Sequence, residues 1–122
     1  MEVLLAIALL TAVFVGVAQV FAAATRANAI ARHITLATMA AVEKMEQLRA
    51  LPFDDGLLAP SPPGCLRADL DGCSDTPLEG YIRRWSIELL PASPATSLVV
   101  SVVVFHRIDA ADVRLVTIKT RK

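Results

Sequence analysis

The chain has 122 residues, with 12 basic and 12 acidic side chains and no net charge. It can therefore hold one small globular domain at most, and it carries no overall electrostatic bias toward nucleic acid or an anionic surface. Hydrophobic residues make up 55% of it, a share inflated by residues 1–25; the remainder has the composition of an ordinary soluble module.

Residues 1–25 open with a lone acid, Glu2, and then run uncharged through Thr25, with Thr11 and Gln19 the polar exceptions up to Ala24. The apolar run is about 22 residues, enough at roughly 1.5 Å each for a helix to cross a ~30 Å hydrocarbon layer. Ala22, Ala23 and Ala24 imitate a signal-peptide cleavage site. However, no basic region opens the segment, and it is longer than the apolar core of about 7–15 residues in a secretory signal. It is read as a retained membrane-inserting helix.

Residues 26–52 continue that helix in amphipathic form. Arg26, Arg32 and His33 mark the exit from the apolar layer. Met39, Val42, Met45 and Leu48 then recur every third residue, with Ala41 and Leu51 nearby and Glu43, Lys44, Glu46, Gln47 and Arg49 between them. These four are expected to form the stripe that packs on a partner layer. Pro52 ends the element, because it disfavours helical geometry at Leu51 and has no N–H to give. The whole helix would measure on the order of 75 Å if straight.

Residues 53–80 are rich in turn and breaker signals: Asp54-Asp55-Gly56, Pro60 through Gly64, Asp71-Gly72 and Pro77. They are read as a long connecting loop. Cys65 and Cys73 lie within it at a C-x7-C spacing that matches no zinc pattern. Outside the cytosol they are expected to be joined, closing a ring of about nine residues worth ~2.5 kcal/mol, with free thiols as the alternative. Asp69, Asp71 and Asp75 surround Gly72, but an EF-hand loop needs its glycine sixth and an acid twelfth. Gly72 is only fourth from Asp69, so a plain acidic turn is expected.

Residues 81–122 alternate like strands. Tyr81, Trp85, Ile87 and Leu89 share one face against Arg84, Ser86 and Glu88, although Arg83 interrupts that face. A turn at Pro91–Pro94 leads to Leu98, Val100, Val102 and Val104, a valine-rich run expected to be a central strand buried on both sides for part of its length. Asp109–Asp112 reads as a hairpin turn and Val113–Thr120 as a further strand. The expected fold class is α+β: a long N-terminal helix packed on a small antiparallel meander of about three strands.

No constellation of residues points to catalysis, a cofactor or a metal. His33 and His106 have no serine or cysteine placed beside them in sequence to form a nucleophile. Tyr81, Arg83, Arg84 and Trp85 make an aromatic and basic cluster, which alternation along an edge strand explains without nucleic acid.

The start Glu2-Val3-Leu4-Leu5-Ala6-Ile7-Ala8-Leu9-Leu10 resembles the prepilin processing and methylation signature of type IV pilins and type II secretion pseudopilins. Glu43-Lys44-Met45-Glu46-Gln47-Leu48-Arg49-Ala50-Leu51-Pro52 is similar to the helix end of minor pilins of the PilV kind and I-type minor pseudopilins. The likeness covers residues 2–52 in sequence and is architectural beyond them. It implies a non-enzymatic structural subunit in the bacterial cytoplasmic membrane, with its C-terminal domain in the periplasm. Such a subunit would be processed by a prepilin peptidase and packed by helix contacts with other pilin or pseudopilin subunits into a pilus, a pseudopilus or its tip. Glu2 would then be the assembly residue, paired with the N-terminal amine of a neighbouring subunit. The family's basic leader, cleaved glycine and first mature residues do not precede Glu2, so Met1 is expected to be internal to a longer precursor or the start of a trimmed chain. A single-pass, membrane-anchored periplasmic binding module, using the sheet face around Trp85, is the alternative.

Overall fold

In the computed structural model, which describes residues 1–108 and 112–122, the helix α1 spans Glu2–Ala50 as one 49-residue element. Strands β1 (Ser74–Asp75), β2 (Tyr81–Leu89), β3 (Ser97–His106) and β4 (Asp112–Thr120) follow. They form a four-stranded antiparallel sheet in the order β1-β2-β3-β4. The α+β architecture is as expected, with one strand more. The expected hairpin turn at Asp109–Asp112 falls largely on 109–111, outside the described residues. The chain divides into two compact units, Met1–Arg32 and His33–Lys122.

The second unit is built on a two-faced sheet. Tyr81, Arg83, Trp85, Ile87 and Leu89 of β2 share a face with Leu98, Val100, Val102 and Val104 of β3 and Val113 and Leu115 of β4, as the register requires. Against that face α1 buries Ala37, Ala40, Ala41, Met45 and Leu48. Three alanines in the stripe let the helix backbone come close to the sheet. The expected stripe is therefore corrected in part. Met45 and Leu48 are buried, but Met39 is 64% exposed and Val42 44%. A strict spacing of three falls behind the helical period of about 3.6, so Met39 lies about 2.5 turns, and hence half a circumference, away from Leu48.

The opposite face of the sheet is covered in part, over β2 and β3, while Val116 and Ile118 of β4 stay exposed on it. Ser97, Ser101 and Val103 of β3 and Ser86 of β2 are buried there, under the connecting segment that follows α1. Arg84 reaches from β2 to Asp69 at 2.8 Å and to the Leu66 carbonyl at 3.4 Å. Ser61 makes a two-way bridge to Ile87: its N–H donates to the Ile87 carbonyl at 2.8 Å, and its Oγ accepts from the Ile87 N–H at 3.0 Å. Valines therefore fill both sides of β3, which is why that run reads as apolar in nearly every position.

Arg83, the residue that breaks the apolar alternation, is only 5% exposed. Its Nε and Nη2 fork onto the two Asp75 oxygens at 2.8 and 2.5 Å, and its Nη1 donates to the Ala40 carbonyl at 3.0 Å. One side chain thus joins helix, β2 and β1. It also accounts for β1, which two residues could not signal in sequence: Ser74 and Asp75 pair with Arg84 and Arg83, and the carboxylate–guanidinium fork holds them there.

The end of α1 is closed from the far edge of the sheet. Lys119 donates to the carbonyls of Leu48 at 3.3 Å, Arg49 at 2.8 Å and Leu51, carbonyls that a helix terminus leaves without intrahelical partners. Arg121, beside it, pairs with Asp54 and lies over the Phe53 ring at 4.9 Å.

Removing Asp75 leaves the buried Arg83 cation with only the exposed Glu43 carboxylate, 3.9 Å away, as counter-charge. Asp75→Ala should lower unfolding stability by about 2 kcal/mol, and the double change Asp75→Ala with Arg83→Met by clearly less, since no charge is then stranded. Lys119→Met should cost about 1 kcal/mol through the lost cap. Denaturant titration of the disulfide-intact chain measures both.

Candidate functional site

In the first unit, every residue of Met1–Arg32 is exposed. The apolar part of α1 is long and apolar enough to cross a membrane, by length and composition. Its hydroxyls are turned inward. Thr11 Oγ1 donates to the Ile7 and Ala8 carbonyls, each at 2.9 Å, and Thr25 Oγ1 to the Phe21 carbonyl at 2.9 Å. These bonds satisfy the hydroxyls within the helix, so they do not break the apolar surface. Around Gly16 the missing side chain leaves a shallow apolar groove bordered by Val13, Val17, Val20 and Phe21. Glu2 occupies the first turn, where an acid is favoured by the unpaired N–H groups and the helix dipole.

In the second unit the two sequence-distant histidines meet. His33 Nδ1 and Tyr81 Oη share a 2.6 Å hydrogen bond. The His106 ring lies 4.7 Å from that of His33 and 4.8 Å from that of Tyr81, between centroids. Gly80 makes room for this cluster. Its φ is +82°, and a Cβ there would stand 2.9 Å from His106 Nε2. The ring cluster anchors α1 to the beginning of β2 and the end of β3. Only the fold brings its members together, and sequence spacing carried no sign of it.

The aromatic and basic cluster is divided between the two faces of the sheet. Trp85 faces the helix, with Lys44 Nζ 3.7 Å from its ring centroid. Arg84 lies on the other face, over Phe105 at 4.7 Å and paired with Asp69. The sheet face around Trp85, named as a ligand surface for the binding-module alternative, is therefore covered by α1. Of the three aspartates around Gly72, Asp69 and Asp75 are engaged by Arg84 and Arg83. Among the described residues, no group of three or more His, Cys, Asp or Glu is placed to hold a metal. Cys65 and Cys73 form a disulfide with Cα atoms 5.7 Å apart, pinning the connecting segment where it crosses the sheet.

That crossing leaves a cleft of about 770 Å³ between the connecting segment and the outer face of the sheet. Ser86 lines it. This residue is 5% exposed, and its Oγ is the buried side-chain polar atom without a hydrogen-bond partner among the described residues. Arg67, Glu88, Asp112 and Arg114 stand around it. No family model, curated protein or solved structure matches this chain.

Burial of Lys44 beside Trp85 pushes its ammonium pKa below the ordinary 10.5, with Asp75 opposing and Arg83 adding to the shift. The native state therefore holds this proton less tightly than the unfolded chain. The resulting penalty is fully present below the native pKa and disappears as pH rises to the unfolded value. Unfolding stability of the parent chain should rise relative to Lys44→Met across that alkaline window, read by paired denaturant titrations at stepped pH.

Proposed function

We propose that the chain is a structural subunit of the minor pilin or minor pseudopilin kind. In this reading the helix holds it in the bacterial cytoplasmic membrane with residues 33–122 in the periplasm. It is then incorporated by helix packing into a type IV pilus or a type II secretion pseudopilus, at the tip or in a priming complex. The observation that carries this reading is the first unit: an exposed apolar helix surface, its Thr11 and Thr25 hydroxyls bonded within the helix, with one acid in its first turn. A surface of that kind needs lipid or similar helices around it.

Glu2 has a defined part in this mechanism. A carboxylate carried among packed apolar helices is costly unless a cation meets it, and the N-terminal amine of a neighbouring subunit supplies one. That pairing aligns each incoming helix with the one before it. The energy for extraction from lipid comes from separate machinery, and this chain contributes docking surfaces.

With the protein expressed in its native host, Glu2→Gln should leave membrane insertion intact and reduce recovery in filaments by at least about tenfold, as loss of one buried charge pair implies. Photo-cross-linking from residues 3–20 should capture sister helices. Normal filament recovery for the variant, together with lipid-only cross-links, would refute assembly and leave a membrane-anchored binding module.

A further inference from the structure

We propose that the cleft on the outer face of the sheet is a binding site for a short neutral oligosaccharide. The proposal starts from Ser86. A hydroxyl buried without a partner is a costly feature in a folded protein, and such groups are few. This one lines the cleft of about 770 Å³ on the outer face of the sheet. The Oγ is fully buried where it stands, so a ligand in the cleft bonds to it after χ1 turns to another of its three staggered positions.

The charges around the cleft select the ligand class. Arg67 and Arg114 are donors only, while Glu88 and Asp112 in their ionised form are acceptors only. Among the described residues, none of these four side chains has a hydrogen-bond or ion-pair partner. An anion drawn by the two guanidiniums would meet two carboxylates, and a cation would meet the reverse. A sugar hydroxyl both donates and accepts, so a run of them satisfies both kinds of group without a charge penalty. Pro62, Pro63 and Val103 add apolar surface suited to the C–H faces of a pyranose ring. The volume falls within the range of roughly 300–1,000 Å³ usual for small-molecule sites.

The walls are already held in place. The Cys65–Cys73 disulfide, the Arg84–Asp69 pair and the Ser61–Ile87 bridge tie the connecting segment to the sheet at separate points. Little ordering is left to oppose binding. The site does not depend on whether residues 3–24 pack into a filament.

The test uses the full chain in phosphatidylcholine nanodiscs, which contain no sugar, with maltotriose and N,N′-diacetylchitobiose as probes. Saturation-transfer NMR and calorimetry should detect at least one of them at about millimolar affinity. Ser86→Ala and Arg114→Ala should each weaken it about three- to tenfold, the loss of one ligand hydrogen bond. Ser86→Ala should hold or raise the parent's unfolding midpoint, since it removes an unsatisfied buried hydroxyl, and weaker binding without loss of stability separates a ligand contact from damage to the fold. Absence of transfer to both sugars overturns the proposal. So does sugar binding unchanged in both variants, or preferential binding of the charged peptide Glu-Lys-Glu.

Discussion

The second unit depends on a buried guanidinium. Arg83 lies where the alternation of β2 calls for an apolar side chain, yet it is almost wholly buried and three elements meet at its nitrogens. A charge taken out of water is tolerable only when its donors are all directed at acceptors, so the partners' positions are not independent. The Ala40 carbonyl has to lie close over β2, which small residues on that side of the helix allow, and Asp75 has to lie beside it, which forms β1. Apolar burial supplies most of the driving force for such a layer, but it is non-directional. The fork on Arg83 is directional, and it fixes which turn of α1 lies over which residue of the sheet.

The helix serves two environments with one backbone. Through residues 33–50 its contacts are chosen side by side: alanines where the sheet approaches, Met45 and Leu48 where there is volume to fill, Lys44 stretched over the Trp85 ring. Through residues 3–24 there is no such choice. Leucine, valine, isoleucine and phenylalanine point in every direction and no face is polar, the pattern of a helix surrounded on all sides by apolar matter. The absence of charge from Val3 to Thr25, with Glu2 before it and Arg26 after it, bounds the stretch long and apolar enough to cross a membrane more sharply than any change in backbone does.

Much of this was readable in the sequence, because periodicity and breakers are local. Pro52 placed the helix end within two residues of Ala50, and the valine run named β3 and its burial on both sides. What escaped reading depends on groups far apart in the chain. Met39 and Val42 looked like core because they are apolar and evenly spaced, whereas the helix's approach to the sheet selects Ala37, Ala40 and Ala41, small residues that carry little hydropathy signal. His33 and His106 looked solitary because nothing in sequence foretells that β3 ends beside the second unit's first residue. Arg83 looked like an interruption because its counter-charge, Asp75, lies in a stretch whose prolines and glycines read as loop.

The treatment of the sheet's two edges follows from the same economy of a small domain. On the β2 side, β1 pairs with Arg83 and Arg84, the Cys73 carbonyl accepts from the Trp85 N–H at 3.0 Å, and Ser61 takes both backbone groups of Ile87. That edge is closed by a segment with almost no strand of its own, and a disulfide holds the segment in place. The β4 side is closed by charge instead. Asp112, Arg114, Lys119, Arg121 and Lys122 punctuate it, and a strand so charged is a poor template for another strand. Val116 and Ile118 remain exposed between them. The connecting segment therefore has two tasks at once, covering the outer face and completing an edge. Because it is pinned at that edge and across the disulfide rather than along its whole length, it spans the face instead of collapsing onto it, and this is the physical origin of the cleft above Ser86.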